Sequence, residues 1–301
     1  MSKIKVQHID HSIEDKTYSV LSDYLMLVKP GLTSMVVFTA IASFLVASEL
    51  AFSWTQLLVL GVGGFCVAGA SNTLNQVLEK DYDSLMKRTM NRPVTMGRIS
   101  TSHGTLFGGL LCLVGVTTLS TFNVWAGFLG MFAFVAYAFV YTPLKRHSRA
   151  AVLVGAIAGA MPMAIGVVAF TGTLTWLAVI LFAIQFAWQY PHFWAIGFLG
   201  HEDYNKAGFK FVPMKGDKPC KSVAYSSIAY CVVLIAIAGL LVYINYLSMI
   251  AGIAMAILGG VYLWYALLFE KEFDLNSAKN LMFSSLLYIP VVMMILIIDK
   301  M

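Results

Sequence analysis

The chain has 301 residues, of which 59% are apolar and only 12% are charged, and its mean hydropathy is +0.79. Because soluble domains carry about 25% charged residues, this composition excludes a soluble domain and indicates a polytopic membrane protein. The net charge of +5 requires no nucleic-acid partner, since basic loops on membrane proteins ordinarily act as topology signals. The four cysteines lack metal-ligand spacing and predict no disulfide framework.

The N-terminal part is predicted to lie outside the membrane. Residues 1–17 are polar and mixed in charge, which is typical of a cytosolic tail, and no secretory signal peptide precedes the first long apolar run. From Tyr18 to Val28, apolar residues recur at helical spacing. They predict an amphipathic helix on the membrane surface that ends at Lys29-Pro30; the alternative is an extension of the first span.

Charge-free runs divide residues 18–301 into the spans of a single transmembrane domain. About 20 apolar residues cross a membrane, and the longer runs contain polar breaks near 121–123, 171–175 and 245–248 that separate paired spans. The predicted fold class is therefore an all-α bundle of nine transmembrane helices. The spans are predicted at residues 30–48, 54–78, 102–120, 124–142, 151–171, 175–199, 222–244, 248–269 and 280–298.

Basic residues are confined to one set of loops. Of the 20 lysines and arginines, only Lys300 falls in a segment assigned to the opposite side. By the positive-inside rule the N-terminus is cytoplasmic and the C-terminus lies outside, and nine crossings predict the same result. The long cytosolic loops also carry most of the polar chemistry, so we expect any active site on that face.

A cluster of potential oxygen ligands follows the second span, in the stretch NTLNQVLEKDYDSLMKRTMNRP from Asn72 to Pro93. Asn75, Glu79 and Asp83 lie four residues apart and would form one stripe on a continuous helix. Such oxygens suit Mg²⁺, and Asp81 is an alternative ligand. The competing interpretation is an ordinary solvated loop.

Basic residues on the same face could bind a polyanion. Arg88 and Arg92 end the first cluster, and Lys145 and Arg146 end the motif YTPLKR. Arginine binds phosphate oxygens through paired hydrogen bonds, and Tyr141 could pack on a substrate. Alternatively, Lys145 and Arg146 serve only as topology anchors.

Two further motifs flank the end of the sixth predicted span. In WQYPHFW, an intramembrane His192 beside Pro191 is a functional candidate, and Trp188, Tyr190, Phe193 and Trp194 would complete an aromatic pocket. The competing interpretation is a packed histidine bonded to a neighbouring helix.

The second motif, HEDYNKAG, begins where that span ends. Glu202 and Asp203 form a second acidic edge, and Lys206 adds a base. The apolar segment 209–214 could then form a lid that lies on the membrane.

The ordered set of motifs resembles the UbiA-type intramembrane prenyltransferases, in particular the protohaem IX farnesyltransferase (haem O synthase) branch. The motifs, in chain order, are NxxxExDxD with KRT and NRP, YTPLKR, WQYPHF and EDYNKAG. The resemblance runs from about residue 20 to residue 298. WQYPHF and EDYNKAG separate this branch from relatives that prenylate quinone precursors. Glu79 replaces the usual Asp with the same charge, whereas Gly31 stands where many relatives have Arg, which weakens any claim of a substrate contact there.

The resemblance implies a bundle around a central cavity that opens to the cytosolic side of the bacterial plasma (inner) membrane. It implies farnesyl transfer from farnesyl diphosphate to a vinyl group of haem B with water addition, which yields haem O, with Mg²⁺ as cofactor. Haem A synthase or terminal oxidase assembly would be partners. The alternatives are a UbiA-type enzyme that acts on a quinone or chlorophyll precursor, or a small-molecule transporter.

The resemblance also suggests residue roles. Asn75, Glu79, Asp83, Lys145 and Asp203 would be catalytic, and Asn75, Glu79, Asp81, Asp83 and Asp203 would bind metal. Arg88, Arg92, Tyr141, Arg146, Glu202 and Lys206 would bind the diphosphate or the prenyl chain. His192, Trp188, Tyr190 and Phe193 would contact haem, His192 either as an axial ligand or through a propionate.

Overall fold

A computed structural model describes residues 19–210, 212–216 and 218–300. The predicted tail, residues 1–17, and Tyr18 lie outside these ranges. Nine long helices run through the described chain: α2 (Pro30–Ser48), α3 (Trp54–Leu78), α5 (Thr101–Ser120), α6 (Val124–Val135), α8 (Ala150–Thr171), α9 (Trp176–Leu199), α11 (Ser222–Tyr243), α12 (Met249–Glu272) and α13 (Leu275–Asp299).

Short elements complete the fold at the ends of these helices. The short helices are α1 (Val20–Val28), α4 (Lys80–Asp83), α7 (Thr142–Leu144) and α10 (His201–Lys206). A π-helix, Ala136–Tyr141, joins α6 to α7. The two-residue strands β1 (Met214–Lys215) and β2 (Lys218–Pro219) pair in antiparallel fashion, with Met214 opposite Pro219. The expected all-α fold class is thus confirmed.

Polar residues at the predicted breaks act as helix caps. Asn123, Thr175 and Ser248 accept hydrogen bonds from backbone N–H groups in the first turns of α6, α9 and α12. A side-chain oxygen at this position satisfies a donor that the helix itself leaves unpaired. Short polar turns therefore suffice to reverse the chain between long apolar helices.

Eight of the described helices are long and apolar enough to cross a membrane, where α6, the π-helix and α7 together make one span, Val124–Leu144. Helix α9 has 24 residues but is not among the eight. Its polar residues Gln185, Gln189 and His192 lower the hydropathy of its second half. The count of nine spans therefore stays a prediction that depends on α9.

Helix α1 ends at Lys29-Pro30, as predicted, so it does not extend the first span. Lys29 adopts a left-handed conformation with φ of 50°, and Pro30 begins α2. Asp23 and Leu27 on α1 are buried, whereas Val20 and Leu21 are exposed. The exposed residues of α1 are thus apolar, which suits contact with a membrane surface, and that position stays a prediction.

Close helix crossings depend on small residues. A Cβ atom at Gly166 of α8 would lie 2.0 Å from the carbonyl oxygen of Ala40 on α2. At Gly115 of α5 it would lie 2.7 Å from the backbone nitrogen of Val67 on α3. Such residues let backbones approach closely in a membrane, where packing drives association.

The apolar interior has two parts that meet at α8. One lies between α3, α5 and α6 and includes Leu60, Cys112 and Leu119. The other lies between α9, α11, α12 and α13 and includes Leu181 and Tyr262. The acidic and basic motifs lie at helix ends, after α3, at α7 and at α10, whereas WQYPHFW lies within α9.

Candidate functional site

Two buried ion pairs form the centre of the site. The ammonium of Lys145 lies 2.5 Å from Glu79 Oε1, and Arg92 donates a hydrogen bond of 2.6 Å to Asp83 Oδ2. The Asp83 side chain is 0% exposed. Burial raises the pKa of Asp83, and this effect exceeds the opposing influence of Arg92. The first acidic motif and YTPLKR, which are distant in sequence, therefore meet in one site.

The oxygen-ligand stripe forms across a break in the helix. Helix α3 ends at Leu78 and α4 begins at Lys80. Nevertheless, the N–H of Glu79 donates to Asn75 O at 3.0 Å, and the N–H of Asp83 donates to Glu79 O at 2.8 Å. The predicted four-residue spacing is thus kept, and it holds Asn75, Glu79 and Asp83 buried.

The chemistry of this stripe fits a hard cation. Asp83 Oδ1 is buried and has no hydrogen-bond partner among the described residues, and Glu79 Oε1 contacts Lys145 without forming an aligned hydrogen bond. Carboxylate oxygens of this kind are ligands that Mg²⁺ prefers. No group of three or more Asp, Glu, His or Cys side chains among the described residues is assembled to hold a metal. A cation there would need further oxygens from the substrate.

The predicted alternative ligand, Asp81, points outward. Its side chain is exposed, whereas Glu79 is 4% exposed. Asn75 is fixed by a hydrogen bond of 3.2 Å from Nδ2 to Thr142 Oγ1, which leaves its amide oxygen as the possible ligand atom. The geometry therefore favours Glu79 over Asp81 for the middle position.

Lys29 is a further cation at the site that the sequence did not single out. Its side chain is half-buried and makes no hydrogen bond or ion pair with any described residue. Burial, reinforced by nearby Arg92 and Lys145, lowers the pKa of Lys29 to about 7, although Glu79 and Asp83 oppose the shift. An anion with several charges would relieve this crowding of positive groups.

Polar side chains from α3 and from the loop before α5 hold α1 in place. Gln76 of α3 donates to Met26 O and Leu27 O at 2.9 and 3.0 Å, and these bonds satisfy carbonyls that the end of a helix leaves unpaired. Arg98 of the loop pairs with the Asp23 carboxylate at 2.9 Å. These contacts fix the position of the left-handed Lys29 that follows.

An aromatic lid of Tyr82, Tyr204 and Phe209 covers the ion pairs. The ring of Phe209 lies 6.2 Å from the rings of Tyr82 and Tyr204. Its ring centre is 5.4 Å from the Lys145 ammonium, and Arg146 lies 4.0 Å above the Tyr82 ring. The described part of the segment after α9 therefore folds back over the first acidic motif, and its role as a lid stays a prediction.

The second acidic edge borders this lid. Arg88 donates to the Tyr204 hydroxyl at 3.3 Å, which links the two cytosolic loops. Asp203 is partly exposed and lies 3.8 Å from Lys206, and Glu202 is exposed. The loops thus come together, but the structure does not join their carboxylates into one cluster.

The π-helix places Tyr141 beside Lys145. Pro143 lacks the N–H that a regular turn would use, and the Thr142 N–H bonds instead to Tyr137 O, five residues back. The Tyr141 ring then lies 4.8 Å from the Lys145 ammonium. Local widenings of this kind are frequent at functional sites.

The predicted haem-contacting residues divide between two faces of α9. His192 stacks on Trp188 with ring centres 5.0 Å apart, and its Nδ1 lies 2.7 Å from Ser285 Oγ on α13. Tyr190 instead stacks on Tyr230 of α11 at 3.9 Å. Phe193 lies beside His192, with ring centres 6.1 Å apart. The structure therefore brings Trp188 and Phe193 to His192, but not Tyr190.

Residues missed by sequence reasoning are those whose role depends on distant contacts. Lys29, Thr142 and Ser285 were assigned no role, although Thr142 lies within YTPLKR, and Phe209 was expected only as the first residue of a lid segment. Pro30 predicted that a helix ends just before it, but it did not indicate that Lys29 lies beside the acidic site.

Comparison with known proteins identifies the family. A model of the UbiA prenyltransferase family matches residues 36–287. The chain belongs to this family. It is therefore a prenyltransferase and a multi-pass membrane protein, as its motifs predicted.

Relatives named protoheme IX farnesyltransferase match nearly the whole chain. The Flavobacterium johnsoniae protein is 40% identical over 289 residues, which is 94% of this chain and 95% of the relative. The Cytophaga hutchinsonii protein is 37% identical over 279 residues, 92% of this chain and 97% of the relative.

Solved structures share the fold. A structure of digeranylgeranylglyceryl phosphate synthase has a TM-score of 0.78 at 18% identity and covers 93% of this chain and 98% of its own. A UbiA homologue from Archaeoglobus fulgidus bound to GPP and Mg²⁺ has a TM-score of 0.64 at 16% identity, with 91% and 99% covered. At these identities the likeness establishes the architecture alone.

Proposed function

We propose that this chain transfers the farnesyl group of farnesyl diphosphate to a vinyl group of haem B and yields haem O and diphosphate. The observation that carries the proposal is the near full-length similarity to protoheme IX farnesyltransferases, at 40% identity in one relative. Convergence of Lys29, Arg92 and Lys145 on Glu79 and Asp83 supports a diphosphate site at one end of the bundle.

The basic residues bind and stabilise the leaving group. Arg92, Lys145 and Lys29 would face the diphosphate oxygens, with Arg88 and Arg146 at the edge of the lid. When the C–O bond of the allylic diphosphate breaks, its electron pair leaves with the diphosphate. Fixed cations in a water-poor site stabilise that developing charge without reorganisation.

Magnesium, when bound, supplies further charge neutralisation to the diphosphate. Asn75, Glu79 and Asp83 would hold it, with Asp203 on the opposing loop. Crystal structures of UbiA homologues with prenyl diphosphate and Mg²⁺ or with Cd²⁺ support divalent metal use in the family. Asp83 Oδ1 is buried with neither a hydrogen bond nor an ion pair among the described residues, whereas Glu79 Oε1 faces Lys145, and this difference favours Asp83 as the main ligand.

The farnesyl cation then reacts with the haem vinyl group. The vinyl π electrons form the new C–C bond, and the resulting haem-stabilised cation takes up water and loses a proton. The reaction balances as haem B, farnesyl diphosphate and water giving haem O and diphosphate, with no redox partner. Tyr141 and the aromatic lid would shield the cation from premature capture by water.

Location and orientation follow from the charge distribution. We place the N-terminus in the cytoplasm and the C-terminus outside, in a bacterial plasma membrane, because the basic residues are confined in sequence to alternate loops between the spans. Haem A synthase or terminal oxidase assembly would then receive the product. Nothing in the composition calls for a nucleic-acid partner.

The test is an incubation of membranes that contain the protein with labelled farnesyl diphosphate and haem B, with Mg²⁺ or with a chelator. We expect label on haem and release of diphosphate, and loss of both when the metal is removed. Label on an aromatic quinone precursor instead would identify a different UbiA-type enzyme. No label transfer, with substrate crossing the membrane intact, would favour a transporter.

A further inference from the structure

His192 is held by a hydrogen bond whose direction can be deduced. Its Nδ1 lies 2.7 Å from Ser285 Oγ on α13. Ser285 Oγ also contacts the carbonyl oxygen of Met282 in the preceding turn. A carbonyl oxygen can only accept, and a serine hydroxyl has a single proton to donate.

The tautomer of His192 follows from the donors and acceptors around Ser285 Oγ. Since the Ser285 proton goes to Met282 O, the hydroxyl oxygen must accept the proton of His192 Nδ1. In neutral imidazole only one ring nitrogen is protonated, so Nε2 carries a free lone pair. The partner of one ring nitrogen thus sets the chemistry of the other.

The surroundings hold the ring in place. His192 stacks nearly parallel on Trp188, with an angle of 15° between their planes. The Trp188 indole N–H donates to Ser285 O at 2.7 Å, and the Tyr262 hydroxyl donates to Trp188 O at 3.2 Å. Three helices, α9, α12 and α13, therefore fix one imidazole in one orientation.

We infer that His192 binds the iron of the haem substrate through Nε2, and that Ser285 is the positioning residue that keeps this nitrogen unprotonated. A neutral histidine with its single N–H committed to Ser285 has no proton to offer a propionate. It has the lone pair that an iron ligand requires. This inference rests on the proposed function and selects between the axial and propionate roles.

The first experiment compares three porphyrins in binding to the purified wild-type chain and His192→Ala, without farnesyl diphosphate. The probes are ferric haem B, its dimethyl ester and metal-free protoporphyrin IX. Axial ligation predicts that His192→Ala weakens binding of both haems and changes their Soret bands, with metal-free porphyrin unaffected. Equal weakening with metal-free porphyrin, or no weakening with the dimethyl ester, would overturn it.

The second experiment tests Ser285. We expect Ser285→Ala to lower haem affinity by about 10-fold and to alter the ligand-field bands, since loss of an outer partner typically costs 10–100-fold. Ser285→Thr, which keeps the hydroxyl, should restore the wild-type spectrum. The matched control is Ser284→Ala, because Ser284 makes the same type of bond, to Leu281 O at 2.8 Å, without contacting His192. Identical spectra in Ser284→Ala and Ser285→Ala would overturn the positioning role.

Farnesylation of haem B by the wild-type protein, assayed in parallel, distinguishes failure of the axial-ligand role of His192 from failure of the proposed function. Wild-type protein that farnesylates haem but gives no nitrogen-ligated haem spectrum refutes the inference alone. Wild-type protein that neither binds nor farnesylates haem refutes the proposed function, and the inference with it.

Discussion

At the residue scale, the site consists of buried charges that balance one another. Glu79 and Asp83 each pair with one cation, and Lys29 adds a third positive group that forms no ion pair with a described residue. Removal of one partner of a buried pair leaves an uncompensated charge, which is more costly than loss of an exposed pair. Substitutions that test these residues should therefore keep the side-chain shape, and each should be compared with a control substitution nearby.

Asp83→Asn retains the side-chain shape but removes its charge. We expect turnover to fall by about 10²–10³-fold, the loss typical when a preorganised electrostatic group is removed. The Mg²⁺ concentration for half-maximal activity should also rise. Asp81→Asn is the exposed comparison two residues away. Equal effects of the two substitutions in a Mg²⁺ titration would contradict the assignment of Asp83.

The lowered pKa of Lys29 leads us to expect that kcat/KM for farnesyl diphosphate depends on pH. The pKa of this lysine is lowered to about 7, so the free enzyme loses this positive charge as the pH rises through that value. The charged or titratable groups that act on Lys29 are Arg92, Lys145, Glu79 and Asp83. We expect kcat/KM for farnesyl diphosphate to fall above pH 7, because this ratio reports the free enzyme.

Lys29→Arg provides the control for this dependence. Its guanidinium stays charged, so the decline in kcat/KM between pH 7 and 9 should be weaker. A decline of the same size in both proteins would assign the titration to another group.

Residue types and their spacing could be predicted, but partners across the fold could not. The sequence indicated Asn75, Glu79 and Asp83 because they recur at helical spacing. It could not pair Glu79 with Lys145 or His192 with Ser285, since these contacts arise only when separate helices pack. The sequence did not assign Lys29 to the site, because a lysine before Pro30 is equally typical of a residue that anchors a helix at the membrane edge.

At the element scale, the lid is the part of the fold most open to test. Phe209 packs between Tyr82 and Tyr204 and lies above Lys145. In Phe209→Ala we expect more labelled farnesol relative to labelled haem product, because water can reach the farnesyl cation. Phe209→Leu keeps apolar volume and should stay closer to wild type. Chromatography of the products measures the ratio, and an unchanged ratio in Phe209→Ala would exclude a shielding role.

Element positions were largely predictable, whereas irregular geometry was not. Long apolar runs and polar breaks indicated the helices, since the same residues that interrupt the runs cap the next helix. The π-helix at Ala136–Tyr141 was not foreseen, although Pro143 supplied a signal that the regular hydrogen-bond pattern must change there.

At the scale of the whole molecule, the open question is whether α9 crosses the membrane. The second half of α9 contains Gln189, which bonds to α8, and His192, which bonds to α13. The same polar residues lower the hydropathy of the helix. Exposed Thr173 and Asn205 lie before and after α9. Their cysteine variants, in a protein without its native cysteines, can report the side on which each end lies.

We expect a membrane-impermeant maleimide to label Thr173→Cys in right-side-out vesicles and Asn205→Cys in inside-out vesicles. Nine crossings with a cytoplasmic N-terminus require this difference. Labelling of both variants in the same vesicles would mean that α9 does not span.

The central claim concerns the acceptor, and a competition assay tests it most directly. Purified protein would receive labelled farnesyl diphosphate, Mg²⁺ and equal concentrations of haem B and an aromatic quinone precursor, and all labelled products would be separated and weighed by mass spectrometry. We predict label in a haem product that has gained one farnesyl group and one water. Label in the aromatic product, with haem B unchanged, would contradict the account.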